Sequence, residues 1–303
     1  FQVDELERAS LESEVYDVDV EGHDDIEEDI SEQVSSSTNT QDSKVEIIQP
    51  ADVAKTEHCI VATDTLMKLL YRVHGEMCKR PGCDQPLEFQ ETFRGTCLVV
   101  VWKCHAGHFG GRWASQPTCA GVRAGNLLLA SAIALSGNSY TKIGFLFKVM
   151  NMTYISKMLY NQYQNLYIAP TVEEYWKAMK EEEWKGREGK DVILSSDGRN
   201  DSPGHCAQYL TYSFADMESK TILNVNIVDV REVEGRKSTN MERLGFERGL
   251  DELLTSTMNI QELVTDGHLR ISALTKNSAK YKDIVHQWDV WHGGKNLGNK
   301  VIA

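Results

Sequence analysis

The spacing of apolar residues changes period several times between residues 191 and 292, and this pattern restricts the fold more than any other feature of the chain. Runs that alternate apolar and polar residues, or are rich in β-branched residues, are typical of strands, whereas apolar residues three and four positions apart indicate a helix. Thr239 followed by Glu242 fits a capping box, which predicts the start of the longer helix. The predicted order is βββαβαβ, with strands at 191–196, 207–216, 221–230, 260–266 and 283–292 and helices at 238–258 and 271–279.

This order of elements matches the ribonuclease-H-like fold, an α/β arrangement in which an antiparallel hairpin joins partly parallel strands covered by helices. The first and fourth strands lie side by side in that fold. Asp197 and Asp266 end those two predicted strands, so we expect their carboxylates to meet across the sheet. Clustered carboxylates bind Mg²⁺ or Mn²⁺, the ions used in two-metal phosphoryl transfer. The alternative for each Asp-Gly pair is that it only makes a turn.

A third carboxylate would complete such a metal site, and the chain offers few candidates for it. Asp289 lies near the end of the last predicted strand, and residues 290–303 contain no Asp or Glu. The third ligand is therefore Asp289, a residue beyond Ala303, or absent. His292 is predicted either to position a water or phosphate oxygen or to be a structural side chain beside tryptophans. Asp201, in the sequence NDSPG, is interpreted as a turn-former.

Cysteine and histidine residues in the first half of the chain predict a structural zinc site. Zinc takes four ligands at tetrahedral corners, and in zinc ribbons two short-spaced pairs separated by a hairpin supply them. The β-like residues 87–103 would form that hairpin, and His105 is an alternative to His108 as the fourth ligand. The predicted ligands, in C-x4-C and C-x3-H spacing, are Cys78, Cys83, Cys104 and His108.

The seven cysteines also bear on the cellular compartment. An odd number at uneven spacing, without a secretory signal, argues for reduced thiols inside the cell. The longest apolar stretch, 126–135, is too short to span a membrane, so no membrane association is expected. The four cysteines outside the zinc pattern are predicted to be small core residues: Cys59, Cys97, Cys119 and Cys206.

Three helix-like stretches, at 125–136, 139–150 and 153–166, are separated by short turn signals. The last two have the turn-then-helix rhythm of a helix-turn-helix, in which the start of the second helix faces the DNA major groove. An ordinary helical bundle with Phe and Met in its core is the alternative. The candidate DNA-binding residues open the third stretch: Thr153, Tyr154, Ser156 and Lys157.

Charge is distributed unevenly, and this affects which partners are compatible with the chain. Residues 1–50 contain 16 acidic and only two basic residues, so they carry −14, and the remaining chain carries +1. A nearly neutral body is compatible with nucleic-acid binding, whereas a uniformly acidic protein would be a poor candidate. The leader 1–50 has too few apolar residues to form a core and is predicted to be disordered, with either a solvating or a partner-binding role.

These observations divide the chain into four parts. We predict a disordered acidic leader (1–50), a helix plus zinc-ribbon-like module (51–120), a helical, helix-turn-helix-like region (121–188) and a ribonuclease-H-like domain (189–303). The last part is expected to be incomplete at its C-terminus, because no acid follows Asp289.

Five sequence segments together resemble a known group of proteins: WKCHAGHFGGRWASQP, AGNLLLASAIALSGNSYTKIGFLF, LSSDGRNDSPGHCAQYLTY, TDGH and DVWHGGKNL. They are similar to transposase-derived proteins that are abundant in fish and invertebrate genomes. Those proteins in turn resemble DDE transposases of the Kolobok and Mutator-like kind. The resemblance covers roughly residues 75–303 and excludes the acidic leader.

The resemblance implies catalytic roles for particular residues. Asp197 takes the first catalytic position and Asp266 the second, while Asp289 and His292 match a D-x-x-H motif near the end of the fifth strand. In such transposases a helical insertion often follows, and the catalytic Glu comes after it. The chain ends before that point, which implies a truncated or inactive enzyme.

The function expected from these features is cut-and-paste DNA transposition. Mg²⁺ held by Asp197 and Asp266 would activate water to cut a phosphodiester at the element's end, and the freed 3′-hydroxyl would attack target DNA. This implies DNA as a partner, a nuclear location and a homo-oligomer as the assembly to look for. The alternatives are a domesticated DNA-binding zinc protein without catalysis, favoured by the missing third acid, and a host nuclease of the same fold.

Overall fold

The computed structural model describes residues 48–119, 121–203, 206–266 and 269–289. His292 and nearly all of the acidic leader lie outside these ranges. Sheets and helices are both present within them, which confirms the mixed α/β character expected from the sequence. None of the helices in this part of the chain is both long and apolar enough to cross a membrane.

The first of two compact units, Phe1–Thr171, contains a three-stranded antiparallel sheet, a small hairpin and several helices. The hairpin predicted at 87–103 is present as the first two strands of that sheet. In chain order the elements are α1 (Pro50–Val53), α2 (Thr63–His74), β1 (Leu87–Arg94), β2 (Cys97–Cys104), β3 (Phe109–Ala114), β4 (Thr118–Cys119), β5 (Val122–Arg123), α3 (Ala124–Leu135), α4 (Tyr140–Val149), α5 (Lys157–Tyr163) and α6 (Ala169–Lys185), which contains the boundary between the units.

Strand β2 is the most buried segment of the three-stranded sheet. Leu98, Val100 and Trp102 share one face, as alternate residues of a strand do, and they pack with Leu70 of α2. The Trp102 ring lies against β3 so closely that a Cβ at Gly111 would come within 2.4 Å of it. The β-branched run CLVVVW therefore forms the core of this sheet, in agreement with its β propensity.

Helices α3, α4 and α5 correspond to the three helix-like stretches of the sequence. The first two match the predicted bounds to within one residue at each end. The third differs, because α5 begins at Lys157 and is followed by a π-helical turn, Gln164–Ile168. The Ser156 hydroxyl accepts a hydrogen bond from the Leu159 amide (3.2 Å), which satisfies one of the amides at the helix start.

The segment before α5 packs against α4. The Tyr140 hydroxyl donates a hydrogen bond to the Ile155 carbonyl (2.8 Å), and the Tyr154 hydroxyl donates one to the Tyr140 carbonyl (2.9 Å). The Tyr154 ring contacts the Phe147 ring at a centroid distance of 5.0 Å and would lie 2.9 Å from a Cβ at Gly144. Tyr154 is therefore occupied in packing within the unit.

The prediction that four DNA-binding residues open a recognition helix is wrong in its placement. Thr153, Tyr154 and Ser156 precede α5, and only Lys157 lies in it. Ser156 is extended (φ −65°, ψ 155°), as an N-cap residue usually is, so the helix cannot include it. Thr153 and Lys157 are exposed, whereas Tyr154 and Ser156 are half-buried.

The second unit, Val172–Ala303, is built on a five-stranded mixed sheet. Its elements are β6 (Asp191–Asn200), β7 (Tyr209–Asp216), β8 (Ile222–Asp229), α7 (Met241–Leu254), β9 (Asn259–Thr265), α8 (Leu269–Asn277) and β10 (Val285–Trp288). The strand order in the sheet is β10-β9-β6-β7-β8. Strands β6, β7 and β8 are successively antiparallel, while β9 is parallel to both β6 and β10. The first and fourth strands of the predicted order are therefore neighbours.

Strand β6 continues past the end predicted at residue 196. Its antiparallel partner β7 keeps pairing with it, so Asp197 lies opposite Ser213 and the strand ends only at Asn200. On the other side, pairing with β9 stops at Ser195. Asp197 therefore follows the last residue of β6 that pairs with β9, as expected. It does not follow the end of the pairing with β7, where the expectation is wrong.

Helix α7 covers one face of this sheet, with Leu250 among its fully buried residues. Two glycines allow the helix to lie unusually close to β7. A Cβ at Gly245 would lie 2.8 Å from Cβ of Tyr212, and one at Gly249 would lie 2.4 Å from Cε2 of Phe214. The close approach fixes the distance between the first turn of α7 and the strands beneath it.

Candidate functional site

Three parallel strands of the second unit end at one edge of the sheet. Strands β6 and β9 pair up to Ser195 opposite Val264, and strands β9 and β10 pair up to Thr265 opposite Trp288. The residues that follow these last pairs lie close together at the carboxyl edge, which is where α/β sheets usually bind ligands.

The carboxyl edge contains an open cavity of about 200 Å³. Asp197, Asp266 and Asp289 all line it, so the structure brings together the three aspartates that the sequence singled out. The fourth predicted catalytic residue, His292, lies outside the described residues. The rest of the wall comes from β6, β7 and β9, and consists of Ser195, Ser196, Ser213, Ala215, Val264 and Thr265.

Backbone hydrogen bonds position the aspartates. The Asp289 amide donates to the Thr265 carbonyl (2.8 Å) and so extends the β9–β10 pairing by one residue. The Asp197 carboxylate accepts a hydrogen bond from the Gly198 amide (2.9 Å), and the Asp197 carbonyl accepts one from the Ser213 hydroxyl (3.4 Å). Asp197 is exposed, so its carboxylate can reach a ligand that arrives from solvent.

A chain of hydrogen bonds supports the end of β9. The Thr265 hydroxyl donates to the Asp266 carbonyl (2.8 Å) and also lies 2.8 Å from Nε2 of His286. Nδ1 of the same ring lies 3.2 Å from the Thr275 hydroxyl of α8. Burial lowers the pKa of His286, which favours a neutral ring with one donor and one acceptor nitrogen. The backbone before Asp266 is thus fixed to β10 and α8.

A fourth acid, Glu242, was not among the predicted site residues. It is the second residue of α7 and is half-buried. Burial, and after it the carboxylates of Asp266 and Asp197, raise the pKa of Glu242 to about 7. A carboxyl group whose charge is disfavoured by two neighbouring acids belongs electrostatically to the same cluster. The acid cluster therefore has four members: Asp197, Glu242, Asp266 and Asp289.

The pairing of Thr239 with Glu242 predicted a capping box, and this prediction is wrong. The N-cap of α7 is Asn240, which makes no side-chain capping hydrogen bond, and Thr239 lies in a short 3₁₀ turn before it. A capping glutamate would turn back to the helix start, whereas this one interacts with the aspartates of the sheet. The sequence contains no signal for this role, because a Glu three residues after a Thr also fits a capping box.

Gly198 leaves room for both Tyr212 and Glu242. A Cβ at Gly198 would lie 3.0 Å from Cδ2 of Tyr212 and 3.3 Å from Cγ of Glu242. The Tyr212 hydroxyl is hydrogen-bonded to the Ser196 hydroxyl (3.1 Å). Burial, and after it the surrounding carboxylates, raise the pKa of Tyr212, so its hydroxyl stays protonated. The Asp-Gly pair at 197–198 therefore serves close packing within a strand, not a turn.

The predicted zinc ligands of the first unit also converge. The ligand atoms of Cys78, Cys83, Cys104 and His108 all lie within 4.8 Å of one another. The Cys83 and Cys104 sulfurs are 3.9 Å apart, and the Cys78 sulfur is 3.9 Å from Nδ1 of His108. Sulfur ligands about 2.3 Å from a zinc ion would be about 3.8 Å apart at tetrahedral corners. The spacing of the four side chains fits zinc, so this group could hold the ion.

Backbone groups shape this cluster. The Cys78 amide donates to the Gln85 carbonyl (2.9 Å), and the Cys104 amide donates to the His108 carbonyl (3.0 Å). The His108 amide in turn points at the Cys104 sulfur (3.4 Å). Burial would raise the pKa of Cys104, but hydrogen bonds from the His108 and Ala106 amides and from the Cys83 and Cys78 side chains together lower it. A lowered thiol pKa favours the thiolate, which is the form that binds metals.

The remaining thiols and His105 lie outside this cluster. His105 is exposed and its amide donates to the Pro86 carbonyl, so the structure favours His108 as the fourth ligand. The prediction of core positions is confirmed for two of the other cysteines, Cys97 and Cys119, and is wrong for the exposed Cys59 and Cys206. Neither exposed cysteine lies in one of the packed strands or α-helices.

Two groups of side chains thus have the chemistry of functional sites. Among the described residues, the Cys/His cluster is the group whose ligand atoms are already close enough to hold a metal ion. The three aspartates share one edge of the sheet and Glu242 approaches them from α7, but these four acids do not form so tight a group. Comparison with protein-family models, with curated proteins and with solved structures found no match.

Proposed function

We propose that this chain is a DNA transposase-like nuclease whose second unit cleaves phosphodiester bonds with divalent metal ions. The observation that carries the proposal is that Asp197, Asp266 and Asp289 line one cavity, with Glu242 coupled to two of them by charge. Neighbouring carboxylates repel one another unless a cation or a proton lies between them. A half-buried acid whose pKa is raised by neighbouring carboxylates, as that of Glu242 is, marks a functional site more often than ordinary surface does.

The fold that we propose for the second unit is ribonuclease-H-like. Support comes from the strand order β10-β9-β6-β7-β8, with an antiparallel meander on one side and parallel strands on the other. Helices α7 and α8 connect the parallel strands. This topology makes β6 and β9 neighbours, so that acids 69 positions apart in sequence, Asp197 and Asp266, reach the same edge.

Asp197 and Asp266 are the residues that would hold Mg²⁺ or Mn²⁺, with Asp289 as a further ligand. Hard divalent ions prefer oxygen ligands, and the acid cluster is a donor set of carboxylate oxygens alone. When bound, such ions would activate a water or 3′-hydroxyl and stabilise the leaving oxygen. The protein itself would hold the acids in place. It does so through strand pairing and through the hydrogen bond between Thr265 and His286.

Glu242 is the residue that we propose as the additional acid of the site. It approaches the cluster from α7, which packs on the face of the sheet, and not from the carboxyl edge where the aspartates lie. Gly198 leaves room beside Cγ of Glu242, and the glycines of α7 let the helix lie close to β7. With Glu242, the site has a fourth acid that does not depend on residues after Ala303.

For the first unit we propose a zinc-ribbon-like module with a structural ion. The four candidate ligands are all protein side chains, which leaves no open coordination position for a substrate, and closed sites of this kind are structural. The ion would tie the turn after β2 to the segment before β1. DNA binding by this module and by the helices after it, a homo-oligomer and a nuclear location are parts of the same proposal.

Nicking of supercoiled plasmid DNA in Mg²⁺ or Mn²⁺ tests the catalytic part. We expect Asp197→Asn to reduce nicking by at least about 100-fold, since loss of residues that only support a metal ligand already costs about 10–100-fold. Asp191→Asn is the matched control, because Asp191 lies at the opposite end of β6 and bonds Asn259 and Gln261 there. Equal nicking by wild type and Asp197→Asn would show that Asp197 is not a metal ligand needed for cleavage.

A second candidate function is a DNA-binding zinc protein without catalysis. The observation that favours it is that the Cys/His cluster is already spaced for a metal ion while the acid cluster is looser. Gel-shift measurements on the same preparations separate the two functions. DNA binding that needs zinc, is unchanged by Asp197→Asn and is accompanied by no nicking in either protein would favour this candidate.

A further inference from the structure

Helix α4 presents an apolar face to solvent. Phe145 and Val149 are each 68% exposed and Leu146 is 49% exposed, although all three are large apolar residues. They lie on one side of the helix, one turn after the exposed Lys142, because residues three and four apart are neighbours on a helix surface. We call the side formed by Lys142, Phe145, Leu146 and Val149 the α4 outer face.

The α4 outer face lies in a part of the chain without acidic residues. Residues 92–172 contain no Asp or Glu and seven Lys or Arg. Exposed apolar residues also occur on α2 and α6, but α2 has Asp64 in its first turn and α6 contains five glutamates. Of these three helices, only α4 combines exposed apolar residues with purely positive charge. Such a face complements a partner that is both acidic and apolar.

The acidic leader has this complementary pattern. Its segment 24–34, DDIEEDISEQV, contains six acids and no basic residue, with Ile26, Ile30 and Val34 four positions apart. Apolar residues at that spacing form one stripe when a segment is helical. Val34 is 14 residues before Ile48, so the segment can reach about 45 Å from that point. A compact unit of about 120 residues is only roughly 35 Å wide.

We propose that residues 24–34 dock on the α4 outer face of the same chain. The three aliphatic side chains would cover Phe145, Leu146 and Val149, which are otherwise in contact with water. The flanking carboxylates would lie near lysines of the acid-free stretch, such as Lys142. Because the segment is tethered to the unit, its effective concentration is high, and a weak contact is enough to populate the docked state. This inference goes beyond the proposed catalysis and does not depend on it.

Zero-length cross-linking of the full chain tests the docking. A carbodiimide joins a carboxylate to an amine only when the two are in contact, so an isopeptide between Lys142 and an acid of 24–34 reports the docked state. We expect mass spectrometry to identify such products in dilute protein. They should be found in the monomer band of a denaturing gel. They should decrease when ionic strength rises from about 0.1 M to about 1 M, because the Debye length falls from about 10 Å to about 3 Å.

Matched variants separate docking from general charge attraction. Replacing Ile26, Ile30 and Val34 by Ser should reduce the products at least about tenfold, equivalent to losing about 1.4 kcal/mol. The same triple change at Leu6, Leu11 and Val15, which belong to another part of the leader, should leave them unchanged. On the helix, Phe145→Ser should reduce the products, while Tyr175→Ser, at a residue 71% exposed on α6, should not.

Three outcomes would overturn the proposal. Isopeptides found equally at lysines of α6, such as Lys177, would indicate nonspecific attraction of a polyanion. Isopeptides found only in a cross-linked dimer would indicate that a second copy occupies the face. Products that the triple Ser change at 24–34 does not reduce would show that the aliphatic stripe has no part in binding.

Discussion

At the scale of single residues, one member of the acid cluster, Glu242, destabilises the folded state when it is charged. Glu242 is half-buried beside Asp266 and Asp197, and its raised pKa means that the folded protein disfavours its charge. Groups that destabilise the fold where they stand are typical of functional sites, since selection retains them for what they do. The direction of this pKa shift separates an acid whose charge destabilises the folded state from one whose charge stabilises it.

Glu242→Gln should therefore stabilise the metal-free protein while reducing nicking. The amide removes the charge that burial and the two aspartates disfavour, so the melting temperature at neutral pH in a chelator should rise by a few degrees. Calorimetry and the plasmid assay provide the two measurements. Glu247→Gln on the same helix removes an ion pair with Arg243 and should give no such increase. A lower melting temperature for Glu242→Gln would mean that this carboxyl is structural.

The pKa of Asp216 is shifted in the opposite direction, downwards. Burial alone would raise its pKa, but hydrogen bonds from the Ser219 hydroxyl (2.7 Å) and the Glu218 amide (3.0 Å), with the ion pair to Arg187 (3.1 Å), lower it. The folded state thus favours the ionised form. Its contribution is complete above the unfolded pKa, about 3.9, and is lost as pH falls through the lower folded value.

Asp216→Asn should destabilise the protein by about 2 kcal/mol at pH 7, because charged hydrogen bonds are lost. The difference in unfolding free energy from wild type should shrink below about pH 4, because wild type also loses the stabilisation by ionised Asp216 there. Urea unfolding at pH 7 and pH 3 measures both values. Asp283→Asn, at an exposed position, should have little effect at either pH. An equal loss at the two pH values would contradict the electrostatic cause.

At the scale of elements, the sequence predicted the order of strands and helices better than their ends. The runs around β7, β8 and β9 show their strand character because one or both faces are buried. The end of β6 was misplaced, because Asp197 and Gly198 stay in the strand only through pairing with β7. The start of α5 was misplaced for a similar reason, since Ser156 caps it after a segment that is held by tyrosine hydrogen bonds. The local spacing of apolar residues contains no information about these tertiary partners.

Gly249→Ala tests the close packing of α7 on the sheet. Helix propensity alone favours Ala by about 1 kcal/mol, but the new Cβ would lie 2.4 Å from Phe214 and 2.7 Å from the Asn226 side chain. Overpacking of this kind costs about 1–3 kcal/mol, so we expect net destabilisation of about 1 kcal/mol in denaturant unfolding. Gly186→Ala should be neutral, because its Cβ would meet nothing closer than 3.5 Å. Stabilisation by Gly249→Ala would show that the helix lies farther from the sheet.

At the scale of the whole molecule, the two sites differ in how far the sequence revealed them. The Cys/His ligands were identifiable because short spacing forces each pair together before any long-range contact forms. Asp197, Asp266 and Asp289 required a correct strand order, which the periodicity supplied. Glu242 could not be assigned, because only the tertiary contact between α7 and β6, seen at Gly198, shows where its side chain lies.

Metal removal tests the zinc site in the intact chain. We expect one zinc ion per chain by elemental analysis, and a lower unfolding temperature after chelation, because binding a structural ion contributes directly to folding free energy. Cys83→Ser should abolish the bound zinc. Cys59→Ser, at an exposed cysteine outside the cluster, should retain it. Full zinc content in Cys83→Ser would exclude the assigned ligand set.

The position of β6 between β7 and β9 has a consequence for how the molecule is made. Its antiparallel neighbour follows within a few residues, so that pairing can form early. Its parallel neighbour is distant, with Asp191 bonded to Asn259 across 68 residues of chain, and must wait for α7 to be synthesised and folded. A nascent chain on the ribosome therefore carries Asp197 without its partners until β9 and β10 have emerged. The three aspartates at this edge can therefore meet only after β10 has been synthesised.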